Sequence, residues 1–392
     1  MRKIFILGLI GFTGLLCDTA YGQSLWNRFT HWLTSPRNVD STYIYQQPLG
    51  FSPALTSNFS RQSIHTTSTL LIEDIPYLDG DFNPVLDENG DPMNGDLFLA
   101  VIHKMEEQVS ARAGFLLSYG RLGAGWSFEL APDSSQRSSS FLFSFRGNKF
   151  GLNVNYLGFN QKMIEEAHWS PPNIYGENDS RDTILTGNRL RRLTVDGYYV
   201  FNTRRFAYPP GIAGSMVQLR SAGSWMLAAR YLQSDLDLNN SLARFGMAQI
   251  SLGCGYSYTW VPFSRAPRRT NDHAIGQSSS LPFTFFINGT VIPMLTLYNH
   301  LTVEPDKSLT DLGLINTEGG GNFCWPTPNL LLNATVGFSW SRFYLGAQFN
   351  YNLFHFNTRN AITSSGPLQD SGIQTMGVLY EWNLSLKFQA CF

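Results

Sequence analysis

The chain has 392 residues, with 28 basic and 29 acidic side chains and a net charge of −1, so nothing in its charge points to nucleic acid. Charged residues make up only 15%, against roughly 25% in ordinary soluble domains. Aromatics reach 14% and glycines number 35, a balance that suits a surface facing lipid rather than water.

Arg2 and Lys3 precede an apolar run from Ile4 to Leu16, and Ala20-Tyr21-Gly22 then forms a small-x-small cleavage site before Gln23. Residues 1–22 are therefore expected to be a secretory signal peptide, because the run falls short of the ~20 apolar residues of a spanning helix. Cys17 follows Leu15 and Leu16, where a lipid-modified cysteine would follow small residues. Residues 23–50 are mixed and polar, with Trp26, Phe29 and Trp32, and read as a periplasmic lead-in. Residues 51–392 are the expected barrel, since no linker-like change of composition divides them.

A β-like run spans Asn58 to Glu73, and Leu78 to Asp96 then breaks pattern with Asp-Gly, Asn-Pro and Asn-Gly pairs that punctuate turns. Phe98 to Lys104 reads as a short strand. Ala113, Phe115, Leu117 and Tyr119 alternate with Gly114, Leu116 and Ser118 before Gly120 turns the chain into Leu122 to Leu130. Phe141, Phe143 and Phe145 lead through Gly147-Asn148 into Phe150, Leu152, Val154 and Tyr156. Glu165 to Leu190 reads as a long polar loop. Leu193 to Phe201 and Phe206 to Ile212 read as strands flanking a tight Asn202–Arg205 turn. Ser224 to Leu232, Met247 to Val261 and Phe283 to Leu301 supply more strands, with long loops at 262–282, 302–328 and 356–373.

The clearest stretch is Asn329 to Phe354. Leu330, Leu332, Ala334, Val336, Phe338 and Trp340 share one face, and Asn333, Thr335, Gly337 and Ser339 the other. After Ser341-Arg342 the rhythm resumes with Phe343, Leu345, Ala347, Phe349 and Tyr351. A soluble sheet would turn the apolar face inward, and a transmembrane barrel would turn it outward. The last strand, Trp382 to Phe392, alternates in the same way and stops on an aromatic, as the outer-membrane barrel-assembly machinery favours. The predicted fold is all-β, a transmembrane antiparallel up-and-down β-barrel of about 12–14 strands with long extracellular loops. Strict alternation of short turns and long loops leaves one strand too many or too few. The 204–233 region is suspect because Pro209-Pro210 interrupts it.

Several stretches carry a resemblance. They are Tyr198-Tyr199-Val200-Phe201-Asn202-Thr203-Arg204-Arg205-Phe206-Ala207-Tyr208, Arg220-Ser221-Ala222-Gly223-Ser224, Gly147-Asn148-Lys149-Phe150-Gly151 and Leu252-Gly253-Cys254-Gly255-Tyr256-Ser257-Tyr258. With these the chain resembles a family of Bacteroidota outer-membrane barrels of unknown function, DUF family 4421, over about Tyr43 to Phe392. Pro209-Pro210 and the polar 74–96 loop depart from it. The resemblance implies a fold and an outer-membrane location, and no activity.

Candidate chemistry is sparse. Asp87-x-Asn89-Gly90-Asp91, within an acidic loop that also holds Asp79, Asp81, Glu88 and Asp96, is a fragment of a calcium loop without its closing Glu, and a solvated turn is the simpler reading. Asp272-His273 and Glu165-x-x-His168 are the close acid–histidine pairings, both expected in loops, and no Gly-x-Ser-x-Gly or HExxH motif accompanies them. Arg189, Arg191, Arg192, Arg204, Arg205 and Arg220 could hold lipopolysaccharide phosphates or line a lumen. Trp225, Tyr231, Tyr258, Trp260, Trp340 and Trp382 are girdle candidates. Cys254, Cys324 and Cys391 have no metal-like spacing, and one disulfide or small packed residues would both fit.

The expectation is a non-enzymatic pore, surface-binding or scaffold barrel with no catalytic residues, cofactor or metal. Its expected partners are outer-membrane lipopolysaccharide, the assembly machinery and a small solute in the lumen. The alternatives are a barrel enzyme acting on lipid or surface peptide, and a secreted soluble β-protein.

Overall fold

The computed structural model of the chain describes residues 38–46, 50–76, 84–105, 109–130, 138–147, 149–170, 179–208, 216–237, 243–265, 283–305, 327–340, 342–361 and 372–391. Residues 1–22, expected to be a signal peptide, and Trp26, Phe29, Trp32, Asp79, Asp81, Pro209-Pro210, Asp272-His273 and Cys324 lie outside them.

The first half of the chain holds β1 (Ile44–Gln46), β2 (Phe51–Pro76), β3 (Asn94–Met105), β4 (Val109–Tyr119), β5 (Leu122–Glu129), β6 (Ser138–Arg146), β7 (Phe150–Ser170) and β8 (Asp179–Val200). The second half holds β9 (Met216–Gln218), β10 (Ala222–Asp237), β11 (Ala243–Arg265), β12 (Phe283–Pro305), β13 (Pro328–Trp340), β14 (Phe343–Ala361) and β15 (Gly372–Ala390). Twelve strands, β2, β4 to β8 and β10 to β15, form a closed antiparallel circuit, with β15 returning to β2 at Leu386↔Ser57.

β3 is the departure from a simple barrel. It pairs with β2 beyond the point where β4 leaves off, and its other edge meets the far part of β7. The β5–β6 hairpin is therefore inserted along only part of the wall, and above it β2 and β7 are joined by β3 alone. We call the end with the β4–β5 and β13–β14 turns the turn end, and the opposite one the loop end. At Gly120, in the first of those turns, φ is +58°, a conformation glycine adopts without steric cost.

The apolar phase faces out. On β13, Trp340 is 58% exposed and Thr335 only 1%. β11 and β12 repeat the pattern: Gln249, Ser257, Thr259, Thr284, Asn288 and Thr290 are buried, while Leu252, Tyr256, Trp260, Val291 and Leu295 are exposed. A soluble sheet would do the reverse, because exposed apolar surface costs roughly 25 cal/mol per Å2 in water. This is the arrangement of a transmembrane barrel. Trp225, Tyr258, Trp260 and Trp340 are exposed on the outer face, and Tyr231 and Trp382 are half-buried there. Trp225 and Tyr231 are six residues apart on β10, roughly 20 Å along a strand, which sets them at different heights of the band.

Three expectations need correction. Glu165 to Leu190 is not a loop, since β7 runs to Ser170 and β8 starts at Asp179. Phe206 to Tyr208 is not part of a barrel strand, because β8 pairs directly with β10 and these residues are buried inside the lumen, while 209–212 lie outside the described residues. The rule of short turns at one end fails for two connections, 201–221 and the one between β11 and β12, which both lie at the turn end. Within the expected lead-in, Ile44–Gln46 forms a strand with β9.

Close packing inside the wall sets one sharp constraint. A Cβ on Gly151 would lie 2.3 Å from the ring of its cross-strand partner Tyr198. Gly151→Val should cost about 1–3 kcal/mol by overpacking and lower the urea midpoint of the refolded protein. Gly289→Ala, where a Cβ meets nothing within 4 Å, should leave the midpoint nearly unchanged.

Candidate functional site

The lumen is built from inward side chains two residues apart, and their chemistry changes sharply with height. Toward the loop end, Ile64, Leu157, Leu190, Leu232, Phe354 and Leu379 form one buried cluster. They come from β2, β7, β8, β10, β14 and β15. Because β10 and β14 are not neighbours in the wall, the cluster reaches across the lumen as an apolar septum.

One inward position nearer the turn end, the same strands carry polar groups. Gln62 precedes Ile64, Asn352 precedes Phe354, Leu190 is followed by Arg192, Arg230 precedes Leu232 and Leu379 is followed by Glu381. Arg192–Glu381 and Arg230–Asn352 bond across the lumen, and the other pairs join neighbouring strands of the wall. Arg192 Nη2 on β8 donates to both carboxylate oxygens of Glu381 on β15 at 2.8 Å, and Gln62 Nε2 donates to Glu381 Oε1 at 3.0 Å. Arg230 donates from Nε and Nη2 to the two oxygens of Asp196, and from Nη1 to Asn352 Oδ1 at 3.0 Å. Arg112 Nη2 donates to Ser60 Oγ at 2.7 Å.

Below this ring lies a chamber of about 340 Å3. Arg112, Arg146, Arg192, Arg230 and Lys387 line it against two carboxylates, Asp196 and Glu381. The remaining lining is about evenly divided between apolar side chains and uncharged polar ones, the latter including Asn58, Asn153, Asn155, Asn350, Asn383 and Ser385.

The turn end is filled by the chain's own plug, residues 38–46 and 201–220 as far as described. β1 and β9 pair within it. Gln218 is fully buried and ties three stretches of backbone together: its Oε1 accepts from Ala207 N at 2.9 Å, and its Nε2 donates to the carbonyls of Tyr43, Arg205 and Arg220. Phe206 is equally buried, packed with Tyr198, Val200, Ala222 and Met226, and Tyr208 reaches the chamber. Asp40 begins the plug. Its carboxyl titrates below the ordinary range because Thr42 donates to it from both hydroxyl and backbone N. Arg205 and Arg220 stack their guanidiniums on Tyr43.

The arginines singled out in the sequence thus divide. Arg192 faces the lumen, Arg189 and Arg191 are exposed on the outer face, and Arg204, Arg205 and Arg220 belong to the plug. The acid–histidine pair the fold brings together is His103 with Glu165, at 2.9 Å across β3 and β7, and Glu165 lies on a strand rather than in a loop. Asp87 accepts hydrogen bonds from Asn89 N and Asp91 N, so its carboxylate closes its own turn and its pKa is lowered by those amides. No group of three or more His, Cys, Asp or Glu side chains poised for a metal occurs among the described residues. Cys254 is an exposed thiol, and Cys391 Sγ accepts a hydrogen bond from Gln389.

Arg112, Arg146, Arg230, Lys387, Asp196 and Glu381 were not singled out from the sequence. A signal is present for Arg112 and Arg146, which lie on the phases of β4 and β6 that otherwise carry Ser, one Leu each and, on β4, Gly, whereas Arg230 shares its phase with Ala, Met and Leu as well as Ser.

Residues 103–266 match the model of a family described as a domain of unknown function (DUF4421). The match runs from β3 to the end of β11 and includes Arg112, Arg146, Arg192, Asp196 and Arg230. No curated protein matches the chain. Among solved structures, the β domain of the Bordetella autotransporter Brka is similar at 8% identity, covering 88% of this chain and 100% of that one, with a TM-score of 0.29. A Pseudomonas aeruginosa FadL homologue follows at 9% identity, 88% and 90% coverage and a TM-score of 0.20. The Escherichia coli outer membrane protease OmpT gives 7%, 86% and 97%, and 0.21. Scores this low lend nothing to function.

Proposed function

We propose that this protein is a non-enzymatic outer-membrane barrel whose lumen is closed at rest and serves as a solute-binding chamber that opens by displacement of its plug. The observation that carries the reading is the set of contacts between strands that are not neighbours, above all Arg192 to Glu381 directly below the apolar septum. An open diffusion pore holds water between its walls, whereas these walls touch. Lipopolysaccharide outside the band at Arg189 and Arg191, and the assembly machinery at β15, are the partners this location supplies.

The test is conductance of the purified, refolded protein in a planar bilayer. Folded barrels should be nearly silent at low voltage. Stable current steps from unmodified protein at rest would overturn the closed-lumen reading. Recovery of the protein from the soluble fraction without detergent would overturn the membrane location.

A further inference from the structure

We infer that the chamber is a binding site for a small, hydroxyl-bearing oxyanion, a sugar acid or sugar phosphate, with its anionic group held between Arg112 and Arg192. The inference rests on the lumen being a solute chamber and names what the chamber takes.

Charge is the first ground. Four arginines and Lys387 face two carboxylates around one chamber, so a bound anion would relieve mutual repulsion among the guanidiniums. Donor geometry is the second. Arg192 has a side chain only 3% exposed and spends Nη2 on Glu381, while its Nε and Nη1 have no partner in the protein. Arg112, 4% exposed, spends Nη2 on Ser60 and leaves Nε in the same condition. Buried guanidinium donors without acceptors are costly, and the planar fork matches the paired oxygens of a carboxylate or phosphate.

The rest of the lining asks for hydroxyls. Asn153 Oδ1 is a buried acceptor with no donor, and Asn350 and Asn383, whose oxygens accept from Asn333, Gln348 and Ser385, present their amide nitrogens as donors. A bare inorganic anion carries too few donors to use them. A polyhydroxylated body does, and a volume of 340 Å3 is within the range of small-molecule sites, roughly 300–1,000 Å3.

Isothermal titration calorimetry on the full-length protein refolded in detergent tests this with glucuronate, glucose 6-phosphate, inorganic phosphate and glucose. Glucuronate and glucose 6-phosphate should bind, phosphate more weakly, and glucose not measurably. Arg112→Gln should weaken glucuronate binding by about tenfold or more, the scale of one charge-assisted hydrogen bond. Glu381→Gln should tighten it by about tenfold, since it removes the carboxylate that competes for Arg192. Glucose binding as well as glucuronate, or no binding of either anion at millimolar concentration, overturns the site. So does an affinity unchanged by Arg112→Gln in folded protein. If that variant does not fold, Glu381→Gln decides, and unchanged or weaker binding refutes the assignment. Protein that conducts at rest yet binds glucuronate with this dependence would sink the closed lumen and leave the site standing. A silent barrel that binds no anion would do the opposite.

Discussion

Phe206→Ala is expected to turn a silent barrel into a conducting one. Phe206 has no exposed surface and anchors the plug to the inner wall through Tyr198, Val200 and Met226. Truncating a fully buried phenylalanine costs about 3–5 kcal/mol, about what the plug's other ties to the wall supply together. Those ties are the edge-to-face contact of Tyr208 with Tyr198, the bond from Ser264 Oγ to the Leu219 carbonyl and the bonds from Asn202 to Ser224 and Gly223, each worth about 1 kcal/mol, while Gln218 holds the plug's own segments together. The wall itself does not depend on the plug, because β8 pairs with β10 from Val200 onward. The variant should therefore keep its β-sheet signal by far-ultraviolet circular dichroism while current steps appear in the bilayer. Gln218→Ala should act in the same direction, since it leaves a buried amide and three carbonyls short of partners. Current that stays at the level of the native protein in a folded Phe206→Ala barrel would mean that the septum alone closes the lumen.

The wall was legible in the sequence because a barrel strand must alternate, and at 15% charge the alternation is scarcely disturbed. Asn329 to Phe354 shows both faces without any knowledge of its neighbours. Which face meets lipid was not legible there, since the same alternation serves a soluble sheet, and the exposure of Trp340 beside the burial of Thr335 decides it. The plug is ambiguous in the sequence for a related reason. Phe206, Ala207 and Tyr208 look like part of a strand, yet their apolar surface is buried inside the lumen rather than against lipid. Short-range pattern cannot distinguish those two destinations. The chamber was hidden for another reason. Arg192 and Glu381 are 189 residues apart, and only closure of the barrel brings β8 and β15 face to face. Glu165 to Leu190 reads as a loop because its polarity is that of strands rising beyond the lipid band, where outward side chains no longer need to be apolar.

Glu381→Ala should be among the most destabilising single changes in the barrel. Its carboxylate is 11% exposed, holds Arg192 at 2.8 Å, and faces Arg112 and Arg230 as well. Removing one member of a buried pair leaves uncompensated charge and costs about 3–5 kcal/mol. Glu166→Ala provides the contrast. Its partner Lys104 is 42% exposed, so solvent screens the pair and the loss should be about 1 kcal/mol or less despite a 2.6 Å contact. Urea unfolding of the refolded proteins, followed by gel mobility and circular dichroism, separates the two outcomes. Replacing both partners, as Arg192→Met with Glu381→Leu, removes both charges of the pair, leaves the net charge of the chamber unchanged and extends the septum by one layer. Stability should then return to near the native value or above it, because buried ion pairs are generally no better than apolar side chains that fill the same space. A double variant as unstable as Glu381→Ala would mean that Arg192 and Glu381 hold the walls in register, and that the chamber owes its charge to folding rather than to a ligand.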